Sequence, residues 1–295
     1  MPDGTAVSAD ATVAADATVA GDATATGSET SRGGSLVPSD AGARPLLEAR
    51  SISIGFGGIQ ALAGVSIEVA EGEAVGIVGP NGAGKTTFFN CLCGQLRPAS
   101  GSVLFAGRAI DRMPAHQRAR LGIARTFQRV EIFPEMTVRD HLTVAERARA
   151  GDWRLWKDLL AMGSPRKEER EHVEQILDLV GLTELGDTPV AALSLGNCRL
   201  VELGRALALR PRLLMADEPS SGLDTHETQL LADLLRRVQQ ESAAAILLVE
   251  HDLDMVARVV DRVLVLDFGE PIAEGSLEEV MADPAVRSAY LGKGA

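Results

Sequence analysis

The chain has 295 residues, 45% of them hydrophobic and 24% charged, which allows one large or two small soluble globular domains. Its net charge of −12 argues against a nonspecific nucleic-acid binder but leaves room for a local anion site. Three cysteines cannot close a disulfide framework, and no apolar run approaches the roughly 18 residues that cross a bilayer, so a reducing, cytosolic compartment is expected and any membrane role runs through a partner.

Residues 1–44 are small, polar and acidic, and repeat the six residues Ala9-Asp10-Ala11-Thr12-Val13-Ala14 at 15–20 and, degraded, from Gly21. Three such copies cannot stack a core. A disordered tail spanning roughly 35–40 Å is expected; a docking peptide is the alternative. With Asp3, Asp10, Asp16 and Asp22 and no basic stretch, the start does not read as a secretory signal.

Order is expected from Pro45. Residues 47–54 read as a strand, and Val65, Ile67 and Val69 alternate with polar neighbours as in a half-buried one. Ala74–Val78 is short and wholly apolar, as a buried parallel strand should be, and 86–92 reads as a helix. Residues 102–105 form a further strand, followed by a tight bend at 106–108. Helices are expected over Val138–Arg149 and 166–180, the second with Val173, Ile176, Leu177 and Val180 on one buried face and Gly181 as its stop. Between them Trp153 and Trp156 read as a small packing cluster. His116, His141, His172 and His226 read as surface or packing residues, and Cys91, Cys93 and Cys198 as small buried or idle thiols, with metal binding as the alternative. From 200 on, helices (200–209, 226–240, 252–260) alternate with strands (213–216, Ala245–Val249, 263–266). That alternation implies a parallel sheet covered on both faces. The expected fold class is α/β: a parallel core sheet, an antiparallel β subdomain near the start, and a helical subdomain at about 130–195.

Two motifs carry chemistry. Gly79-Pro80-Asn81-Gly82-Ala83-Gly84-Lys85-Thr86-Thr87 matches G-x-x-x-x-G-K-[ST], the phosphate-binding P-loop, with a strand before it and a helix behind. Backbone N–H groups there converge on an anion, and the helix dipole adds positive potential. Gly79, Gly82 and Gly84 allow close backbone approach; Lys85 is placed to bridge β- and γ-phosphates, and the Thr86 hydroxyl to help hold Mg2+. The second motif, Leu213-Leu214-Met215-Ala216-Asp217-Glu218, is an apolar strand ending in two carboxylates. Asp217 is placed to hold the metal through water, and Glu218 to polarise the attacking water.

With these motifs, the chain from about Pro45 onward resembles the ATP-binding subunits of ABC transporters. Gln128 in Thr126-Phe127-Gln128 stands where that family has its Q-loop, and Leu193-Ser194-Leu195-Gly196-Asn197 where it has its signature motif before a helix. Ser221-Gly222-Leu223-Asp224 stands as the D-loop and His251 as the switch histidine. Phe56-Gly57-Gly58, the stretch 123–128 and Ala289-Tyr290-Leu291-Gly292 look more narrowly like the branched-chain amino-acid importer ATPases. The resemblance implies ATP and Mg2+ as ligands. It assigns the P-loop residues Gly79, Asn81, Gly82, Ala83, Gly84, Lys85, Thr86 and Thr87 to the nucleotide, and Thr86, Gln128 and Asp217 to the metal. Glu218, His251, Gln128 and Lys85 become the catalytic set. Ser194 and Gly196 face the partner's nucleotide. Phe56 stacks on adenine or, equally well, packs in the core.

The same resemblance implies integral membrane permease subunits and a second ABC ATPase as partners, a heterodimer being expected and a homodimer left open. A solute-binding protein acts indirectly, nucleic acid is not a partner, and the expected place is the cytoplasmic face of the membrane. Leu195 and Asn197 depart from the usual L-S-G-G-Q, which puts in question only the composite site made with the partner's P-loop. Alternatives are another transporter class, a non-transport ABC ATPase, and a nucleotide-gated scaffold without turnover. A repair protein's zinc cysteines or long coiled coil and a translation factor's second cassette are missing from the sequence, and Glu218 and His251 argue against the scaffold.

Overall fold

The computed structural model describes residues 44–126, 133–149 and 166–291. The tail, Phe127, Gln128, Trp153, Trp156 and Gly292 lie outside the described residues. Two sheets organise the rest. The first is antiparallel. Strands β1 (Leu47–Phe56) and β2 (Ile59–Val69) form a hairpin through Gly57 and Gly58, and β1 also pairs with β4 (Ser100–Phe105). Ala106 and Gly107, both at positive φ, then turn the chain into the short β5 (Arg108–Ala109). Its order is β2-β1-β4-β5.

The second sheet runs β10-β9-β3-β8-β7-β6. Its central strands, β3 (Ala74–Val78), β7 (Leu213–Asp217) and β8 (Ala245–Val249), have every residue buried. That is the burial expected of five-residue apolar runs covered on both faces. With β6 (Ile123–Arg125) and β9 (Arg262–Asp267) they pair in parallel, and only β10 (Glu270–Gly275), at the edge, runs antiparallel. The carboxyl ends of β3, β7 and β8 therefore open on one edge, where ligands of such sheets bind.

Helix α1 (Lys85–Cys93) follows β3 directly, and α2 (Ala115–Arg120) precedes β6. Helices α3 (Val138–Arg149), α4 (Lys167–Leu179) and α5 (Leu195–Ala208) share an apolar cluster that includes Val138, Leu142, Val173, Ile176, Leu177 and Val201. His141 is buried there, its Nε2 3.0 Å from the Phe133 carbonyl, a packing role as expected. Helices α6 (Thr225–Ser242) and α7 (Leu253–Val259) link the strands that follow, and α8 (Leu277–Ala282) and α9 (Pro284–Leu291) close the chain. Cys91 and Cys93 are free and buried, and burial pushes the Cys91 thiol up to about 11.

One boundary moves by a full turn and more: α5 begins at Leu195, not at 200. Gly196 and Asn197 are weak helix formers, but the first turn tolerates them when a cap is present. Ser194 supplies it, its hydroxyl accepting from the Asn197 N–H at 3.2 Å. The motif expected to precede the helix is thus its first turn.

Candidate active site

The P-loop is wedged between the two sheets. Gly79 has φ 145°, and a Cβ added there would overlap the Leu266 carbonyl of β9. Gly84, at φ 96°, would place one 2.8 Å from the Ala61 carbonyl of β2. Only glycine permits this approach. The Gly269 N–H donates to the Ala83 carbonyl at 3.0 Å, and the Gly269 carbonyl accepts from Ala63 N–H at 2.8 Å. The turn between β9 and β10 therefore braces the loop from outside. Lys85 is buried, its Nζ donating to the Gly79 and Pro80 carbonyls at 2.6 and 3.0 Å. Burial lowers its pKa, while the charges of Glu218 and Asp217 pull it back up, which puts all three groups in one electrostatic neighbourhood.

Asp217 ends β7 with its side chain sealed from solvent. One oxygen, Oδ2, accepts from Arg125 Nη2 at 3.0 Å; the other, Oδ1, is buried with no hydrogen-bond partner among the described residues. A buried carboxylate oxygen without a donor is costly, and a hydrated cation would satisfy it. The donor set, carboxylate and hydroxyl oxygens beside a phosphate cradle, suits a hard divalent ion. The arrangement therefore fits a nucleotide with its metal. Glu218 comes next, at φ 46°, a left-handed conformation rare for a glutamate, held by its N–H donating to the Val249 carbonyl at 2.8 Å. Two residues beyond Val249 stands His251, exposed, with Nδ1 3.5 Å from Glu250 Oε2.

The remaining expected residues fall in three groups. Asn81, Thr86 and Thr87 lie on the loop and the first turn of α1. Phe56 is 49% exposed at the end of β1, which removes the reading of it as a core side chain. Ser194 and Gly196 open α5, and the side chain of Leu195 rests on the chain's own D-loop, its Cδ2 2.9 Å from where a Gly222 Cβ would stand. Gln128 lies outside the described residues.

Residues 62–221 match the ABC transporter family. The chain belongs to it. Over 254 residues, 85% of this chain and 99% of the relative, the cassette is 39% identical to the high-affinity branched-chain amino acid transport ATP-binding protein BraF of Pseudomonas aeruginosa. The corresponding LivG protein of Escherichia coli is 37% identical over the same span. The crystal structure of the ADP conformation of an ATP-binding cassette from an ABC transporter superposes with a TM-score of 0.74 at 34% identity, covering 85% of this chain and all of that one. Residues 270–295 also match the branched-chain amino acid ATP-binding cassette transporter family. This cassette is an ATP-binding, ATP-hydrolysing subunit of a membrane transporter; among its described residues no helix is long and apolar enough to cross a membrane.

Two groups of the cassette's site escaped the motif reading. Arg125, besides holding Asp217, donates to Asn90 Oδ1 at 2.8 Å and Gln95 Oε1 at 2.7 Å and lies over the Phe89 ring at 4.8 Å. It thereby fastens the metal-side carboxylate to α1. Tyr290 of α9 packs on a cluster containing Val78, the residue before Gly79. Burial raises the Tyr290 phenol, opposed by the Gly79 backbone. The sequence signal was present in both cases, since 123–128 and 289–292 stood out as family-like, but no motif gave those residues a role.

Burial holds the Asp217 carboxyl above the usual range; Arg125 opposes this, and the charges of Glu218 and then Glu250 add to it. The folded chain thus binds that proton more tightly than the unfolded chain. The stabilisation this brings is present below the unfolded value of about 3.9 and is lost as pH rises through the folded value. At neutral pH the ionised carboxylate is a cost. Asp217→Asn should therefore raise the melting temperature at pH 7, by about 2–4 °C for each kcal/mol relieved, with the gain shrinking toward pH 4. Calorimetry without nucleotide tests this, and a less stable variant at pH 7 would contradict it.

Proposed function

We propose that the cassette powers import of branched-chain amino acids by hydrolysing ATP beneath two permease subunits, paired with a second, related ATPase and served by a solute-binding protein outside. It would sit at the cytoplasmic face of the membrane through the permeases. What carries this reading is the match of residues 270–295 to the branched-chain amino acid ATP-binding cassette transporter family, a stretch that contains Tyr290, packed behind the P-loop strand. Residues 45–295 form the working cassette in this reading.

The residues act as follows. Lys85 leaves the Gly79 and Pro80 carbonyls for the β- and γ-phosphate oxygens, and the amides of Gly82 to Thr87 close around them. Phe56, exposed at the rim, stacks on adenine. Thr86, Asp217 and Gln128 would hold Mg2+, which when bound neutralises charge on the β- and γ-phosphates. Glu218 takes a proton from the attacking water as its oxygen bonds to the γ-phosphorus, the bridge to the β-phosphate breaks, and ADP leaves. His251 orients the γ-phosphate and that water. Ser194 and Gly196, at the amino end of α5, face the partner's nucleotide.

The test is reconstitution with the permeases, the second ATPase and the binding protein in proteoliposomes. ATP-dependent uptake of leucine, isoleucine or valine is expected, and Lys85→Ala should abolish it. Uptake of a chemically unrelated solute only would overturn the cargo assignment while leaving the ATPase reading intact.

A further inference from the structure

Glu250 is wholly buried, yet no lysine or arginine among the described residues pairs with it. Its carboxylate is instead divided between two turns. Oε1 accepts from both the Ser220 N–H at 3.0 Å and the Ser220 hydroxyl at 2.6 Å. Oε2 accepts from the His251 N–H at 2.9 Å and, more weakly, from the Asp252 N–H at 3.4 Å. Burying a carboxylate is unfavourable unless donors surround it, and an apolar side chain at the end of β8 would pack at less cost. What an apolar side chain cannot do is hold two separate backbone segments in fixed relation.

We propose that Glu250 is a positioning residue that locks the turn carrying Glu218 to the turn carrying His251. Ser220 lies two residues after Glu218, across the stiff Pro219, so fixing Ser220 fixes the direction in which the strained Glu218 backbone leaves β7. His251 is the neighbour of Glu250 and takes its position from the other oxygen. The lock reaches one step further, because Arg199 of α5 donates to the Ser221 carbonyl at 3.3 Å. Movement of the signature helix is thereby passed to both groups that face the γ-phosphate. The inference rests on the proposed catalytic roles of Glu218 and His251.

The experiment compares Glu250→Gln, Ser220→Ala and the double variant in the assembled complex. Glutamine keeps the volume but sets an amide N–H2 against one pair of donors; alanine removes a single hydroxyl and serves as the mild variant should Glu250→Gln fail to fold. Small misplacement of reacting groups costs up to about a hundredfold, so kcat should fall about ten- to a hundredfold in Glu250→Gln. KM for ATP, and affinity for a fluorescent ATP analogue measured without turnover, should stay within about twofold. The double variant should lose no more than the worse single variant, as groups in one network do. Hydrogen exchange should rise together at Ser220–Ser221 and at His251–Asp252, a readout independent of turnover. Losses that multiply, exchange that rises at one turn only, or an unchanged kcat in folded variants would each overturn the proposal. If Glu218→Gln and His251→Ala themselves retain full activity, the catalytic reading beneath it fails instead.

Discussion

Glu218→Gln should leave nucleotide affinity near its starting value and reduce steady-state ATPase of the assembled complex by about 10²–10⁴-fold, the usual contribution of a positioned general base. The substitution is nearly isosteric. The backbone that places the side chain, at φ 46° with its N–H held by the Val249 carbonyl, has no reason to change. What is lost is the ability to accept a proton. Lys85 also loses one of the two neighbouring charges that raise its pKa against burial. A modest shift in phosphate affinity is therefore compatible with the assignment. A loss of less than about tenfold in turnover would rule Glu218 out as the base.

A second large effect is expected at Gly79. Here φ is 145°, and an added Cβ would overlap the Leu266 carbonyl, part of β9 and not a flexible side-chain end. Backbone strain of about 1–3 kcal/mol and overpacking of about 1–3 kcal/mol act together. At about 2–4 °C per kcal/mol, Gly79→Ala should lower the melting temperature by roughly ten degrees and abolish ATP binding. Gly82→Ala is the control. Its φ is also positive, at 82°, but no atom of the described residues lies within 4 Å of the new Cβ. It should cost only the local conformational strain, a few degrees at most. Thermal scans with and without ATP compare the two; equal effects would mean that the close approach to β9 is unimportant.

The parts of the molecule legible in the sequence are those set by local pattern. Ala74–Val78 and Ala245–Val249 have the expected boundaries because each is a short apolar run, and the helix expected from Val138 begins there. An antiparallel start was legible too, but its second strand only in part: the alternation at Val65, Ile67 and Val69 marks the end of β2, which begins at Ile59. Strand β6 was not, because three residues carry no period, and β10 was masked by Pro271, which is tolerated at a sheet edge. In the site, Asp217 and Glu218 could be read because they sit together at the end of an apolar strand. Arg125 lies 92 residues from Asp217 and becomes its partner only when β6 pairs beside β7. Glu250 belongs to no motif, and only the folded chain brings Ser220 to it.

Arg118, from α2, has a consequence for the far end of the P-loop helix. Its guanidinium is buried and donates to the Cys91 and Leu92 carbonyls at 2.9 and 2.6 Å, the last turn of α1, while Nε holds Met113 O at 2.9 Å. Gly94 keeps the space open, since a Cβ there would stand 2.6 Å from that same Nε. A cation fixed at the carboxyl end of a nine-residue helix, about 14 Å from its phosphate-facing end, works like ballast. It neutralises the negative pole and anchors the shaft, so that the positive pole is held steady where charge is to be gripped. Grip on the substrate is consequently adjustable from a position that never meets it.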